Sequence, residues 1–122
     1  MSRAPAVTGL SAIAVDCADP PALAAWWQSV LGGRVEVDDD GDARLLADGV
    51  PPLDFLRVPE PKTVKDRLHL DLATSDLAAA TEQVLALGAT LAPDVHEGGE
   101  RWVVLRDPEG NELCLIAPQP TD

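Results

Sequence analysis

Apolar and polar positions follow the same order twice along this chain. An alternating stretch over residues 10–15 is repeated over 67–72, 57 positions later, and Asp76 follows Asp19 at the same separation. In each copy the aspartate precedes a run of apolar residues at helical spacing, which ends at a glycine before short extended runs. A duplicated supersecondary unit has this appearance in a sequence. The pattern predicts one domain built from two paired modules, with a ligand site between them.

The first copy predicts one strand, one helix and three further strands. Every second residue from Ser11 to Cys17 falls on one face of an extended chain, between Ala12, Ala14 and Asp16. This alternation is typical of a strand and indicates that the strand is largely buried. Asp19 is a suitable N-cap, and the two prolines after it suit the first helical turn, where no amide partner is needed. Trp26 and Trp27 are adjacent in this helix, so only one of them is expected to point along the core stripe. The helix ends at Gly32, and further strands are predicted over 34–37, 43–47 and 53–58, with an acidic hairpin turn over 38–42.

The second copy repeats this order and adds ionisable side chains. Leu68, Leu70 and Leu72 alternate with His69 and Asp71, so the predicted strand has one apolar face and one ionisable face. His69 and Asp71 are about 6.6 Å apart along such a strand, which favours a shared pocket over a direct bond. A capped helix is predicted over 77–87, strands over 90–91, 101–106 and 112–116, a turn over 107–111, and a proline-containing connector over 59–65.

Composition and charge narrow the class of protein. A length of 122 residues fits one domain. The net charge of −12 would repel nucleic acid, so no nucleic-acid partner is expected. The excess of acidic residues is better explained by a solvated surface than by a cationic partner. No apolar run approaches the length of about 18 residues of a membrane span, and the start lacks a signal-peptide core, so a cytoplasmic protein without a membrane partner is expected. Cys17 and Cys114 are expected to be reduced thiols.

Several motifs resemble those of a known superfamily. They are His69 within the stretch 67–72, the run Asp107-Pro108-Glu109-Gly110-Asn111 with its following strand to Leu115, and the stretches 15–20 and 55–62. The chain resembles the vicinal oxygen chelate superfamily, nearest to its small glyoxalase-like or bleomycin-resistance-like proteins. This resemblance implies an α+β fold in which two βαβββ modules, about 8–60 and 66–118 of a single domain over 1–122, form a curved, partly open sheet around a cavity. It also implies a homodimer.

Members of this superfamily commonly hold a divalent metal with four side chains, one on the first and last strand of each module. Carrying these corners over puts them at Ala12, His69 and Cys114, with the fourth within Leu53–Leu56, where only Asp54 could coordinate. Alanine cannot bind a metal, and although His69 with a Cys114 thiolate could hold zinc, a catalytic zinc needs three protein ligands. The resemblance therefore implies a degenerate site, and neither a metal nor another cofactor is expected.

Four residues are candidates for ligand contact: Asp16, His69, Trp102 and Cys114. His69 could bind a ligand or act as a general base oriented by Asp16 or Asp71, or it could be a structural histidine satisfied by a neighbouring carboxylate. Cys114 is a candidate only because it falls at a ligand corner, and a small buried hydrophobe is the plainer interpretation.

The other two candidates have structural alternatives as well. Asp16 shares a strand face with Ala12 and Ala14, whose small side chains leave room for a cation or hydroxyl, while a hydrogen bond to loop amides is equally compatible. An aromatic at the position of Trp102 tends to line the pocket in the resembled branch, and a core role is nearly as compatible.

These observations predict a small-molecule binding protein that holds its ligand in the cavity between the modules. The alternative is a lyase, isomerase or dioxygenase-type enzyme of the same superfamily that uses His69, with or without a divalent metal. A third possibility is a structural dimer whose cavity is filled. The fold does not decide among them, because this superfamily supports several chemistries.

Overall fold

Each half of the chain folds as one strand, one helix and three strands in a computed structural model that describes residues 6–94 and 101–118. The chain divides into two compact units, with the boundary between Pro59 and Glu60. The first, module one, contains β1 Ile13–Cys17, α1 Pro20–Leu31, β2 Arg34–Val37, β3 Ala43–Leu46 and β4 Leu53–Arg57. The second, module two, contains β5 Leu70–Ala73, α2 Leu77–Ala86, β6 Thr90–Leu91, β7 Trp102–Arg106 and β8 Glu112–Ile116.

The two modules have the same sheet topology. Module one has strand order β1-β4-β3-β2, and module two has the corresponding order β5-β8-β7-β6. The first and last strands of each module pair in parallel, and the remaining pairs are antiparallel. The predicted α+β class and the duplicated βαβββ unit are confirmed.

Helix starts follow the predicted aspartate caps. Asp19 Oδ1 accepts a hydrogen bond from the Ala22 amide at 3.2 Å, and Asp76 Oδ1 accepts one from the Ala79 amide at 3.0 Å. Each bond satisfies one of the amides that a helix leaves without an internal partner. After α1, Gly33 has φ +89, and a Cβ there would collide with the carbonyl oxygen of Leu46. Glycine is therefore required for the close approach of this turn to the end of β3.

The core of each module lies on the helix-covered face of its sheet. In module one, Leu45, Leu53 and Phe55 are fully buried, and α1 packs on β3 and β4. Both Trp26 and Trp27 are buried, with their rings edge to face at 5.4 Å. The prediction that only one of these tryptophans belongs to the core is therefore wrong, because the second ring packs against the first. In module two the corresponding fully buried side chains are Leu105, Leu113 and Leu115.

The opening strand of each module is shorter than the alternation predicts. β1 begins at Ile13, whose amide donates to the Pro52 carbonyl at 2.8 Å. Proline has no amide proton to extend the β1–β4 ladder. β1 is also less buried than predicted, because Ile13 and Val15 are half-buried and only Cys17 is buried.

The strand predicted from Leu68 begins only at Leu70. Leu68 is 91% exposed, and His69 lies just before the strand. At the start of the partner strand β8, the Glu112 amide donates a hydrogen bond to the Asp66 carboxylate at 2.9 Å. This bond takes the place of a ladder bond, so the β5–β8 ladder ends there.

That the modules form one domain over residues 1–122 stays a prediction. Fragments of 1–59 and 60–122 are each about the size at which a core is marginal, since a 60-residue chain buries only about 60% of its surface. We expect neither fragment to melt cooperatively as a monomer, whereas the full chain does. Circular dichroism melts, with size-exclusion chromatography as the check on monomers, decide this. A cooperative melt of either monomeric fragment would show that the modules are independent.

Candidate ligand-binding site

The sheet of module two has a second face, opposite its leucine core. On β8, Leu113 and Leu115 belong to the core, so the pleat puts Cys114 on the opposite face. The register pairs Cys114 with Asp71 on β5 and with Val104 on β7. A separate cluster is built here by Ala92, Val104 and Cys114 with Trp102 and Ile116. We call this the ligand face of module two, and it also includes His69 and Asp71.

Three of its side chains form one polar group. His69 Nε2 lies 3.1 Å from Asp71 Oδ1, and one donor atom from each of His69, Asp71 and Cys114 falls within 4.8 Å of the others. The strand spacing favours a shared pocket over a direct bond, and the structure has both the shared group and a direct contact. His69 precedes the strand, so the pleat spacing of two strand residues does not apply to it.

The polar group combines an enclosed thiol with accessible partners. The side chains of His69 and Asp71 are 39% and 58% exposed, whereas Cys114 is buried. Burial raises the pKa of the Cys114 thiol, and the negative charge of Asp71 and a hydrogen bond to that carboxylate raise it further. The charge of Lys65 lowers the pKa of the thiol by less than these effects raise it, so Cys114 is a protonated donor to Asp71 and a poor nucleophile.

The buried carboxylate of Glu112, on the same strand as Cys114, is bound to other residues of the protein. The side chain of Glu112 is 3% exposed; its Oε2 lies 3.0 Å from Lys62 Nζ, and its Oε1 accepts from the Asp66 amide at 3.2 Å. Burial acts to raise the pKa of Glu112, but hydrogen bonds from Lys62 and Asp66 outweigh it and the net shift is downward. Burial raises the pKa of Asp66, with the nearby Glu112 charge adding to the shift. Glu112 thus holds the connector to β8.

Module one has a different pair at the equivalent position. The β1–β4 register pairs Asp54 with Ala14, as the β5–β8 register pairs Cys114 with Asp71. Asp54 therefore occupies the position in module one that Cys114 occupies in module two. Arg44 binds it with Nε at 2.6 Å and Nη2 at 2.9 Å, and this hydrogen bond and the charge of Asp54 raise the pKa of Arg44. The carboxylate that could have coordinated is neutralised by a guanidinium.

A groove of about 510 Å³ lies over this pair within module one. Its carboxylates have structural partners: Asp38 accepts the amides of Asp40 and Asp42, and Asp42 accepts the Arg57 amide. They therefore stabilise the predicted acidic hairpin turn. Lining residues of the groove are Glu36, Val37, Asp38, Asp42, Ala43, Arg44, Asp54 and Leu56.

The structure brings together three of the four predicted contact residues. His69 and Cys114 share the polar group, and half-buried Trp102 packs on the Cys114 cluster. Asp16 lies on β1 of module one, is exposed, and pairs in register with Leu56. Its role as a ligand contact stays a prediction.

The expectation of no metal rests on an incomplete set of donors. Asp71 lies outside the four corners of the resembled superfamily, so the sequence indicates a partner of His69 there and not a metal donor. With Asp71 included, the described part of the chain contains three side chains with metal-binding donor atoms within 4.8 Å of one another. No spacing in the sequence reveals this group, because the contact of His69 with Asp71 depends on His69 lying just before the strand.

Comparison with known proteins identifies the family. Residues 12–116 match the model of the glyoxalase-like domain, so the chain belongs to this family, and membership of the vicinal oxygen chelate superfamily is confirmed. A search of curated proteins gives no significant match. No helix in residues 6–94 and 101–118 is long and apolar enough to cross a membrane.

Solved structures share the fold at low sequence identity. The fosfomycin resistance protein FosX of Listeria monocytogenes, solved with Mn(II) and 1S,2S-dihydroxypropylphosphonic acid, has a TM-score of 0.74 and 18% identity, with 93% of this chain and 92% of that chain covered. FosX of Mesorhizobium loti has a TM-score of 0.71 and 15% identity, with 93% and 94% covered. A glyoxalase/bleomycin resistance/dioxygenase family enzyme of Burkholderia phytofirmans has a TM-score of 0.69 and 21% identity, with 88% and 96% covered.

Removing the charge of Glu112 tests its role as an anchor. We expect Glu112→Gln to lower the free energy of unfolding by about 1–3 kcal/mol, because the Lys62 ammonium loses a buried charged partner. Urea denaturation followed by circular dichroism measures the change. Glu60→Gln is the matched control, since Glu60 is exposed, and it should change stability by less than about 0.5 kcal/mol. Equal effects of the two substitutions would contradict the anchoring role.

Proposed function

We propose that this protein binds a small molecule on the ligand face of module two. The observation that supports this most directly is the group formed by His69, Asp71 and Cys114 beside Trp102. It combines convergent polar groups with an apolar wall, which is the usual composition of a small-molecule site. In this proposal the metal corners of the superfamily have diverged, and binding itself is the activity. The homodimer implied by the resemblance stays a prediction.

The charges of the site favour a particular kind of ligand. Asp71 is a carboxylate at the mouth of the site, and the whole chain has a net charge of −12. Both repel an anion, so a phosphonate such as the one bound to the Listeria FosX would need a cation beside it here. A hydroxyl or amine can instead donate to Asp71 while its carbon skeleton contacts Trp102. We therefore propose a polyol or amine with an apolar part as the ligand class.

An enzyme is the second candidate. A lyase, isomerase or dioxygenase-type activity would use His69 as a general base, oriented by Asp71 through the 3.1 Å contact. In the version with a divalent metal, the three-donor group would hold the ion, which would polarise a substrate oxygen, and His69 would then be a ligand rather than the general base. The observation that favours this candidate is the closeness of the three donors.

Truncation of His69 tests the proposed site. Ligands are first found by thermal-shift screening of amines and polyols. We expect His69→Ala to weaken their binding by about 1–3 kcal/mol, because a polar group of the ligand loses its hydrogen-bond partner. Isothermal titration calorimetry measures the affinities, and an unchanged far-ultraviolet spectrum shows that the variant folds. If His69→Ala binds every confirmed ligand as the parent does, the site is assigned wrongly. If turnover is found and is lost while affinity persists, the enzyme candidate replaces the binding protein.

Asp16→Asn tests whether module one contributes to the same ligand. The substitution removes a charge at nearly constant shape, so it should weaken cationic ligands selectively and leave neutral polyols unchanged. Asp39→Asn removes a charge from the exposed hairpin turn and is the matched control. Equal effects of the two variants would indicate only a general field of the acidic chain and would remove Asp16 from the proposed site.

A further inference from the structure

Module two combines an imidazole nitrogen, a carboxylate oxygen and a thiol sulfur at one point of its ligand face. From this geometry we infer that His69, Asp71 and Cys114 form a binding site for Zn²⁺, contained within module two and selective against Mn²⁺ and Mg²⁺. This inference deepens the proposed function, since it concerns the same face. It differs from the corners carried over from the superfamily because Asp71 provides the third donor.

The distances are compatible with a tetrahedral ion. Zinc bonds of about 2.0–2.3 Å put neighbouring donors about 3.3–3.8 Å apart. The three donor atoms already lie within 4.8 Å of one another, and His69 is 3.1 Å from Asp71. Small side-chain rotations would close the remaining gap. Three protein donors leave a fourth position open for water or a ligand oxygen, as in catalytic zinc sites.

The kinds of donor decide the metal. Mg²⁺ and Mn²⁺ prefer shells of oxygen donors, whereas a thiolate favours zinc. Nearby Glu112, which would add a hard oxygen, is held by Lys62 and Asp66. The zinc ion would therefore meet one thiolate and one carboxylate, whose two negative charges balance its own. As the S–Zn bond forms, the Cys114 proton leaves to solvent, and no oxidation state changes.

Accessibility supports reversible loading from solvent. His69 and Asp71 are well exposed, so an ion can reach them first, and Cys114 lies behind them in the cluster with Val104 and Trp102. In module one the corresponding carboxylate, Asp54, is bound to Arg44 through two hydrogen bonds. The structure thus offers a matched control at the equivalent position.

Cobalt substitution tests the site without an assay for activity. Full-length protein, with any tag removed and treated with chelator, is titrated with Co²⁺. We expect one equivalent to give a thiolate-to-cobalt charge-transfer band and the visible bands of tetrahedral Co²⁺. Zn²⁺ should displace Co²⁺ at stoichiometric concentration, and a large excess of Mn²⁺ or Mg²⁺ should not.

Variants assign the donors. Cys114→Ala should abolish the charge-transfer band, whereas Cys17→Ala and Asp54→Asn should retain it. His69→Ala and Asp71→Asn should each weaken Zn²⁺ by at least the roughly 10–100-fold typical of losing an outer-shell partner. Because Asp71 is exposed, Asp71→Asn keeps the test valid if Cys114→Ala does not fold. Absence of the band in the parent, its persistence in Cys114→Ala, or equal affinity for Mn²⁺ would overturn the inference.

Failure of this inference can be told apart from failure of the proposed function. Metal-free protein that binds amines or polyols through His69 but gives no cobalt band would overturn only the zinc site. Protein that gives the cobalt band but binds no organic ligand, with or without Zn²⁺, would overturn only the proposed function.

Discussion

Parallel pairing between the first and last strands of each module determines which polar side chains lie together on its sheet. A parallel pair fixes which residues are neighbours, and the pleat decides which of them face away from the helix. In module two this pairing puts Asp71 beside Cys114, and it puts Leu113 and Leu115 in the core. A slip of one residue would exchange the two faces and bury the charged side chain under the helix. The leucine core therefore fixes the register on which the polar group depends.

Duplication provided the same position twice, and the two copies now differ. In module one the position holds the ion pair of Arg44 and Asp54, which is partly exposed and adds little stability by itself. In module two Val104 replaces the arginine, and Cys114 replaces the carboxylate. In module one the Arg44 guanidinium neutralises the charge of Asp54. In module two Val104 has no charge that could neutralise Asp71.

Most of the fold could be predicted from sequence because its signals are local. Asp19 and Asp76 cap helices through bonds to residues three positions later, and the glycines that end α1 act within one turn. Strand starts were less predictable, since the beginning of β5 depends on Asp66 accepting a hydrogen bond from the amide of Glu112, which lies far along the chain. The burial of both Trp26 and Trp27 also depends on tertiary packing, which helical spacing does not reveal.

The sequence indicated His69 and Cys114 as candidates but did not reveal which side chains they contact. His69 and Cys114 were found through their positions in a resembled pattern, but the contact of His69 with Asp71 depends on His69 lying outside the strand. The role of Glu112 depends on Lys62, which belongs to a connector with no periodic pattern. Glu112 and Asp71 are both carboxylates on this face, yet one is buried and bound to a cation whereas the other is exposed beside a thiol. Burial and partners, rather than residue type, therefore make Asp71 the carboxylate of the two that solvent can reach.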